Sequence, residues 1–150
     1  MGFIYKKFSN TIKKALSSNE NISKLVLSFC IGLYIAFSPF PGFHTIMILT
    51  FSWMFKLNLP VMFLGAFLNN PWTMVPLYTF DYSLGYWILH KLFNLNVPWG
   101  ISLGKIFGSG KVCVISFLVG GNILGILAAL IAYPVANKIF KRMASQINKI

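Results

Sequence analysis

The sequence predicts an all-α integral membrane protein with two proline-broken helical hairpins, one spanning helix and an amphipathic helix at each end. Two observations lead to this fold class. Hydrophobic residues make up 57% of the 150 residues and charged residues only 10%, whereas about 25% of the residues in soluble domains are charged. The apolar residues also form three long runs, a pattern that suits a bilayer because its interior is itself an apolar solvent.

Basic residues are concentrated at the two ends of the chain, whose net charge is +11. We therefore distinguish a basic N-terminal segment at 1–24, a membrane domain at 25–137 and a basic C-terminal segment at 138–150. Residues 3–16 and the C-terminal segment each predict a helix with basic residues on one side and apolar residues on the other. The apolar residues are Ile4, Phe8, Ile12 and Leu16 in the first, and Ile139, Met143, Ile147 and Ile150 in the second.

Helices of this kind lie in the headgroup layer of a membrane, so the predicted partners are the lipid bilayer and its anionic lipid headgroups. A nucleic-acid-binding domain would carry its basic residues on a soluble, polar surface instead, so we predict no nucleic acid as a partner. Because positive charge marks the cytoplasmic side of membrane proteins, both termini are predicted to be cytoplasmic, which requires an even number of crossings.

The first apolar run, Leu25 to Phe55, is uncharged and is interrupted at its midpoint by Ser38-Pro39-Phe40-Pro41-Gly42. As a single helix it would be about 46 Å long, which exceeds the ~30 Å thickness of the hydrocarbon core. Proline removes a backbone donor and glycine permits unusual dihedral angles, so the helix breaks there. Each arm is then roughly 20 Å long, which fits a hairpin that enters and leaves the membrane on one side.

The second run, Leu57 to His90, repeats this arrangement with a break at Asn69-Asn70-Pro71-Trp72-Thr73. Asn70 is a favourable N-cap and Pro71 a favourable first helical residue. Two interpretations of the repeat remain open: an inverted pair of hairpins, as in many transporters, or chance. Because the last run crosses once, an even total requires one of the first two runs to cross an odd number of times. A re-entrant hairpin for one of them satisfies this parity, and the sequence does not indicate which.

Residues 92–111 form a connector, and Val112 to Asn137 has the length of a spanning helix. Gly121, Gly125 and Ala129 form a ridge of small residues on this helix, which lets another helix approach closely. The ridge favours packing within the chain, and a homo-oligomer is the alternative.

Several segments resemble a family of bacterial membrane proteins catalogued as domain of unknown function 2062. They are Ser38-Pro-Phe-Pro-Gly-Phe-His44, Lys56-Leu-Asn-Leu-Pro-Val61, Asn69-Asn-Pro-Trp-Thr-Met-Val-Pro-Leu-Tyr78 and Gly85. The resemblance covers roughly residues 25–137, with Lys56 and Asn69 standing where the family has arginine and serine. It implies a protein of the bacterial inner membrane and no particular activity.

The residue types argue against an enzyme. Glu20 and Asp81 are the only acidic residues, which leaves no carboxylate pair within the membrane domain for acid–base catalysis. The two histidines lie in separate segments and are too few for a zinc site. Nucleophile-elbow and phosphate-loop motifs are also missing from the sequence. We therefore predict no catalytic residues, no metal and no cofactor.

Polar side chains gather at the two helix breaks, and two interpretations of them are open. In the first, they cap backbone groups that the breaks release, because lipid offers those groups no partner. In the second, the breaks meet, and the positive helix N-termini hold an anionic small molecule or lipid headgroup. The candidate ligand-binding residues are Pro39, Pro41, Gly42, His44, Asn69, Asn70, Pro71, Thr73 and Asp81.

Asp81 allows a further reading, an interfacial position beside Tyr82, Tyr86 and Trp87. The predicted function is therefore transport or lipid handling with an anion-binding site at the helix breaks. The alternative is a membrane scaffold or assembly factor whose basic ends recruit partners.

Overall fold

The computed structural model describes residues 10–15, 21–38, 40, 42–70, 72–92, 100–102 and 111–147. Within these residues the regular structure is helical apart from two short antiparallel strands, which confirms the predicted helical class. The helices are α1 at residues 10–15, α2 (Ile22–Ala36), α3 (His44–Phe55), α4 (Leu59–Ala66), α5 (Met74–Trp87), continued by a π-helical segment (Ile88–Leu92), and α6 (Val114–Ile147); the strands are β1 (Gly100–Ser102) and β2 (Lys111–Cys113).

Both predicted breaks separate two helices. The first lies between α2 and α3, where Gly42 adopts a φ of 87°, a left-handed conformation that glycine adopts without steric cost. The second lies between α4 and α5. The 15 residues of α2 measure about 22 Å at 1.5 Å per residue, so the arms are as short as the sequence predicted.

A tight turn joins α3 to α4. Lys56 ends α3 in the left-handed conformation with a φ of 51°, and Asn58 caps α4 by accepting a hydrogen bond from the N–H of Val61 at 3.1 Å. The N–H of Asn58 donates to Ser28 Oγ at 3.0 Å, which fixes the turn to α2. The charge at Lys56 marked the boundary between the two apolar runs, but the sequence did not predict this contact with α2.

The chain forms two compact units, and the first comprises Met1–Ala36, Phe40–Leu68 and Gly125–Ile150. Helices α2 and α4 pack with their backbones in contact, because a Cβ atom on Gly32 would overlap the Met62 carbonyl and one on Gly65 would overlap the Phe29 carbonyl. The buried apolar core of this unit contains Ile12, Ala15, Leu25, Val26, Cys30, Val61, Ala136 and Phe140.

Helix α1 has the two sides that the sequence predicted. Ile12 and Ala15 are buried, whereas Lys13 and Lys14 are exposed. The buried side contacts the protein core rather than being open to a membrane surface. Ile4, Phe8 and Leu16, the rest of the predicted apolar stripe, lie outside the described residues.

Helix α6 continues without a break through the expected boundary at 137 and 138, so the C-terminal segment, as far as it is described, is the end of α6 and not a separate helix. Its buried side also differs from the prediction. Ala136 and Phe140 are buried, and Met143 packs partly buried beside them, whereas Ile139 is 42% exposed. The neighbouring core selects the buried side, which the sequence of the segment alone does not reveal.

The second unit comprises Phe37–Pro39 and Asn69–Leu124. Its strands β1 and β2 are antiparallel, with Gly100 paired to Cys113 and Ser102 to Lys111. The two strands fall within and at the end of the predicted connector at 92–111, and α6 starts at Val114, two residues after the predicted start of the spanning helix at Val112. Three-residue strands are too short to produce a recognisable alternation of apolar and polar residues.

Candidate functional site

At the second break, Asn70 and Thr73 form a reciprocal cap. Asn70 Oδ1 accepts hydrogen bonds from the N–H groups of Trp72 at 3.0 Å and Thr73 at 3.1 Å. The N–H of Asn70 in turn donates to Thr73 Oγ1 at 3.1 Å. Asn70 thus bonds two N–H groups at the break, but α5 begins at Met74 with Thr73 at its N-cap position and not at Pro71 as predicted. The N–H groups of Trp72 and Thr73 are thereby occupied and not open to an anion.

Asn69 connects this cap to the body of α5. Its Nδ2 donates to the hydroxyl of Tyr78 at 3.3 Å. The Tyr78 ring in turn packs edge-on against Phe117 of α6, with 5.1 Å between ring centroids. Asn69 therefore fixes an aromatic side chain at the contact between α5 and α6, within the second unit.

Asp81 is fully buried, with 0% of its surface exposed. Its backbone carbonyl lies against Gly120, and one turn later Gly85 lies against the carbonyl of Ser116. Asp81 and Ser116 thus belong to a backbone-to-backbone contact between α5 and α6. Asp81 is enclosed by protein, whereas its neighbours Tyr86 and Trp87 are about half exposed. The alternative of a position at the membrane interface stays a prediction.

The buried polar atoms of this contact have no hydrogen-bond partner among the described residues. They are both carboxylate oxygens of Asp81 and the hydroxyl oxygen of Ser116, whose residue is also 0% exposed. A buried polar group without a hydrogen bond costs about 1–3 kcal/mol, and more when it is charged. Burial of these groups therefore destabilises the contact, and the close packing of the helices does not explain why polar side chains stand there.

The first break lies in the first unit from Phe40 onward. Helix α3 begins at His44, which is half-buried, and Phe43 at the N-cap position makes no side-chain cap hydrogen bond. The positive end of this helix is thus not covered by an N-cap side chain. Thr73, at the N-cap position of α5, makes no side-chain cap hydrogen bond either, although Asn70 accepts from two N–H groups in the turn before that helix.

The predicted site residues divide between the two units. Gly42 and His44 lie in the first, and Asn69, Asn70, Thr73 and Asp81 in the second. Pro39, Pro41 and Pro71 lie outside the described residues. A single cavity shared by the two breaks stays a prediction.

The ridge of small residues on α6 is used within the chain. Gly121 and Gly125 are buried, and Ala129 packs partly buried against the core of the first unit. A homo-oligomer through these residues stays a prediction. The closest helix contact of the second unit instead uses Gly120 and Gly85. Two features of the sequence could have indicated this contact: Gly85, which belongs to the segments that resemble the family, and the pair Gly120-Gly121.

The comparisons with known proteins agree with the resemblance in the helix breaks. A family model described as "Uncharacterized protein conserved in bacteria (DUF2062)" matches residues 5–148. No curated protein and no solved structure matches the chain. Because the match covers almost the whole sequence, this chain belongs to the bacterial DUF2062 family.

Proposed function

We propose that this chain is a polytopic protein of the bacterial inner membrane, and the exposure of α6 supports the proposal most directly. Among the described helices, α6 alone is long and apolar enough to cross a membrane, over Val114–Gln146. Only 22% of the most apolar 18-residue stretch of this helix is buried inside the protein, whereas the core helix of a soluble protein would be mostly buried. Water would not tolerate this surface, and lipid does.

Large apolar side chains outside α6 support the same environment. Trp72 is 91% exposed and Trp53 86% exposed, although large aromatic side chains are normally among the most buried residues of soluble proteins. In a membrane they would face the acyl chains or the interface, where tryptophan is enriched. Exposed lysines in α1 and in the last part of α6, among them Lys13, Lys14 and Lys141, favour cytoplasmic positions for both ends.

Within this setting, we propose that the protein transports or handles a molecule with an anionic group, which binds at a helix break. The start of α3 supports this role, because it combines His44, a left-handed Gly42 and an N-cap residue without a capping side chain. Helix N-termini attract anions through their free N–H groups and the helix dipole. The start of α5 is less open to such a ligand, since Asn70 already accepts from two N–H groups there.

A scaffold or assembly factor is the second candidate function. It is favoured by the exposed Lys13 and Lys14, which would recruit acidic partners. It is also favoured by the capping of α5, since polar groups at that break already bond to each other. A scaffold needs no bound anion at His44, and the two functions therefore differ in a measurable way.

Native mass spectrometry of the full chain in mixed-lipid nanodiscs tests the proposal. Lipids retained by the wild-type chain would be compared with those retained by His44→Ala and by the double variant Lys13→Ala/Lys14→Ala. We expect one anionic lipid to be retained by wild type and by the lysine variant, and to be lost in His44→Ala. Retention that depends on the lysines alone would contradict a site at the break.

A soluble ligand is tested by uptake of inorganic phosphate into vesicles that contain the same three proteins. Uptake abolished by His44→Ala would identify a transported anion in place of a lipid. If neither lipid retention that depends on His44 nor phosphate uptake is observed, a scaffold is the better explanation of the function.

A further inference from the structure

At the contact between α5 and α6, the only aspartate of the chain is buried without a hydrogen-bond partner in the part of the chain that the structure describes. Asp81 is 0% exposed, and neither of its carboxylate oxygens has a hydrogen-bond partner among the described residues. An isolated ionised carboxylate is very costly in an apolar environment, so such groups bind a proton, pair with a cation or change their surroundings. The Asp81 carboxylate is therefore expected to bind a proton or a cation.

No countercharge faces Asp81 from the helix that covers it. The part of α6 in the second unit, residues 114–124, contains no ionisable side chain. On α5 itself, Tyr78 is the ionisable residue one turn earlier on the same side, and its hydroxyl accepts a hydrogen bond from Asn69. Beyond α5, His90 bonds to the Tyr86 carbonyl and stacks on the Tyr86 ring. A salt bridge within this helix pair is thus not available.

A metal cation fits the contact poorly. Ca²⁺ takes six to eight oxygen ligands and Mg²⁺ about six, whereas the unpartnered side-chain oxygens here are those of Asp81 and Ser116. The described residues also contain no group of three or more His, Cys, Asp or Glu that could hold a metal ion. A proton needs only one oxygen, so the Asp81 carboxylate can bind it without further ligands.

We propose that Asp81 is a reversible proton-binding site at the contact between α5 and α6. The proton comes from water and binds one carboxylate oxygen to form a neutral carboxyl group, and it returns to water from the same oxygen. No other bond forms or breaks. Ser116 supplies an unpaired hydroxyl on the facing helix.

This site goes beyond the proposed anion site and does not depend on it, because Asp81 lies in the second unit and the start of α3 in the first. Polar groups also lead from it toward the start of α5. Tyr78 lies one turn from Asp81, and its hydroxyl bonds to Asn69 beside the Asn70 cap. In a transporter, a protonation site of this kind supplies the coupling ion.

The sequence offers an unusually clean test, since Asp81 is the only aspartate and Glu20 the only glutamate. Aspartate labelled with ¹³C at the side-chain carboxyl would be incorporated into the full chain, and infrared spectra recorded in nanodiscs across a range of pH. We expect an isotope-shifted band of a protonated carboxyl at neutral pH, converting to a carboxylate band under alkaline conditions. A labelled carboxylate band at neutral and mildly acidic pH would overturn the proposal.

Two controls separate a proton from a metal cation and from the other carboxyl groups. Replacing Na⁺ by choline should leave the spectrum unchanged, and a carboxylate that becomes protonated only without Na⁺ would show a metal site instead. In unlabelled protein, Asp81→Asn should lose the protonated band, whereas Glu20→Gln should keep it. The labelled wild-type spectrum decides the matter if Asp81→Asn fails to fold.

Discussion

Gly120 of α6 lies against the backbone carbonyl oxygen of Asp81, in a contact too close for a Cβ atom at position 120. The same contact places Gly85 of α5 against the carbonyl of Ser116. Such backbone-to-backbone packing is the usual role of small residues between membrane helices. Asp81, which supplies one of these carbonyls, is also the one buried acid among the described residues.

Replacing Gly120 by alanine should destabilise the chain. The added Cβ would overlap the Asp81 carbonyl, which belongs to a helix backbone and cannot move away as a flexible side chain can. Overpacking typically costs about 1–3 kcal/mol, and sometimes more. The free energy of unfolding, measured in detergent by denaturant titration, should fall by at least this amount.

The matched control is Leu130→Ala on the same helix, because Leu130 is 65% exposed. It should change the free energy of unfolding much less than Gly120→Ala. Equal stability of Gly120→Ala and wild type would show that α5 and α6 do not touch as described.

Asn70→Ala should also lower stability, for a different reason. It removes the oxygen that accepts from the N–H groups of Trp72 and Thr73, and loss of an N-cap costs about 0.5–2 kcal/mol. Asn70→Asp keeps an acceptor oxygen and should retain most of the stability. The comparison of the two melting curves would refute the capping role if both variants lost the same amount.

The cap at Asn70 could be predicted from the sequence because its signal is local. Asparagine followed by proline, with threonine three residues later, specifies a helix start through contacts along a few residues of chain. The helix breaks were predictable for the same reason, since proline and glycine act on their own backbone. The position of Asp81 was not predictable in this way.

Burial of Asp81 depends on Gly120, which lies 39 residues later in the chain. Glycine in an apolar helix has several roles, so Gly85 and Gly120 could not be paired from the sequence. Likewise, the buried side of α6 near Phe140 is set by α1 and α2, and periodicity within the segment favoured Ile139 instead. Contacts distant in sequence thus account for the differences between expectation and structure.

The apolar side of α1 allows a test of whether it serves protein packing or membrane binding. Ile12 is fully buried in the first unit, so Ile12→Ala should cost about 2–5 kcal/mol of stability.

A synthetic peptide of residues 3–16 should in addition gain helicity on anionic vesicles and lose it at high salt. Circular dichroism measures the second effect, and no gain on such vesicles would refute the predicted membrane affinity.

Both ends of the chain should be cytoplasmic. The basic residues at the two ends favour this orientation, and it requires an even number of crossings, one of which α6 would supply. Reporter enzymes that are active on only one side of the membrane, fused separately at Met1 and Ile150, would measure it. A periplasmic signal from either fusion contradicts the predicted topology.

A chain embedded in a membrane with water-accessible helix breaks should react with aqueous reagents at the breaks and not on its lipid-facing side. The most direct measurement places single cysteines at His44, Thr73 or Ile131 in a chain with Cys30→Ala and Cys113→Ala. Each protein is then treated with a membrane-impermeant thiol reagent in intact and inverted vesicles. Ile131 serves as the control because it is 69% exposed on α6 and would face lipid.

We expect labelling at positions 44 and 73 from one side of the membrane and no labelling at 131. Labelling of 131 as strongly as 44 and 73 would contradict a membrane position for α6. Absence of labelling at both break positions in both kinds of vesicle would contradict water-accessible breaks and leave them as packing features.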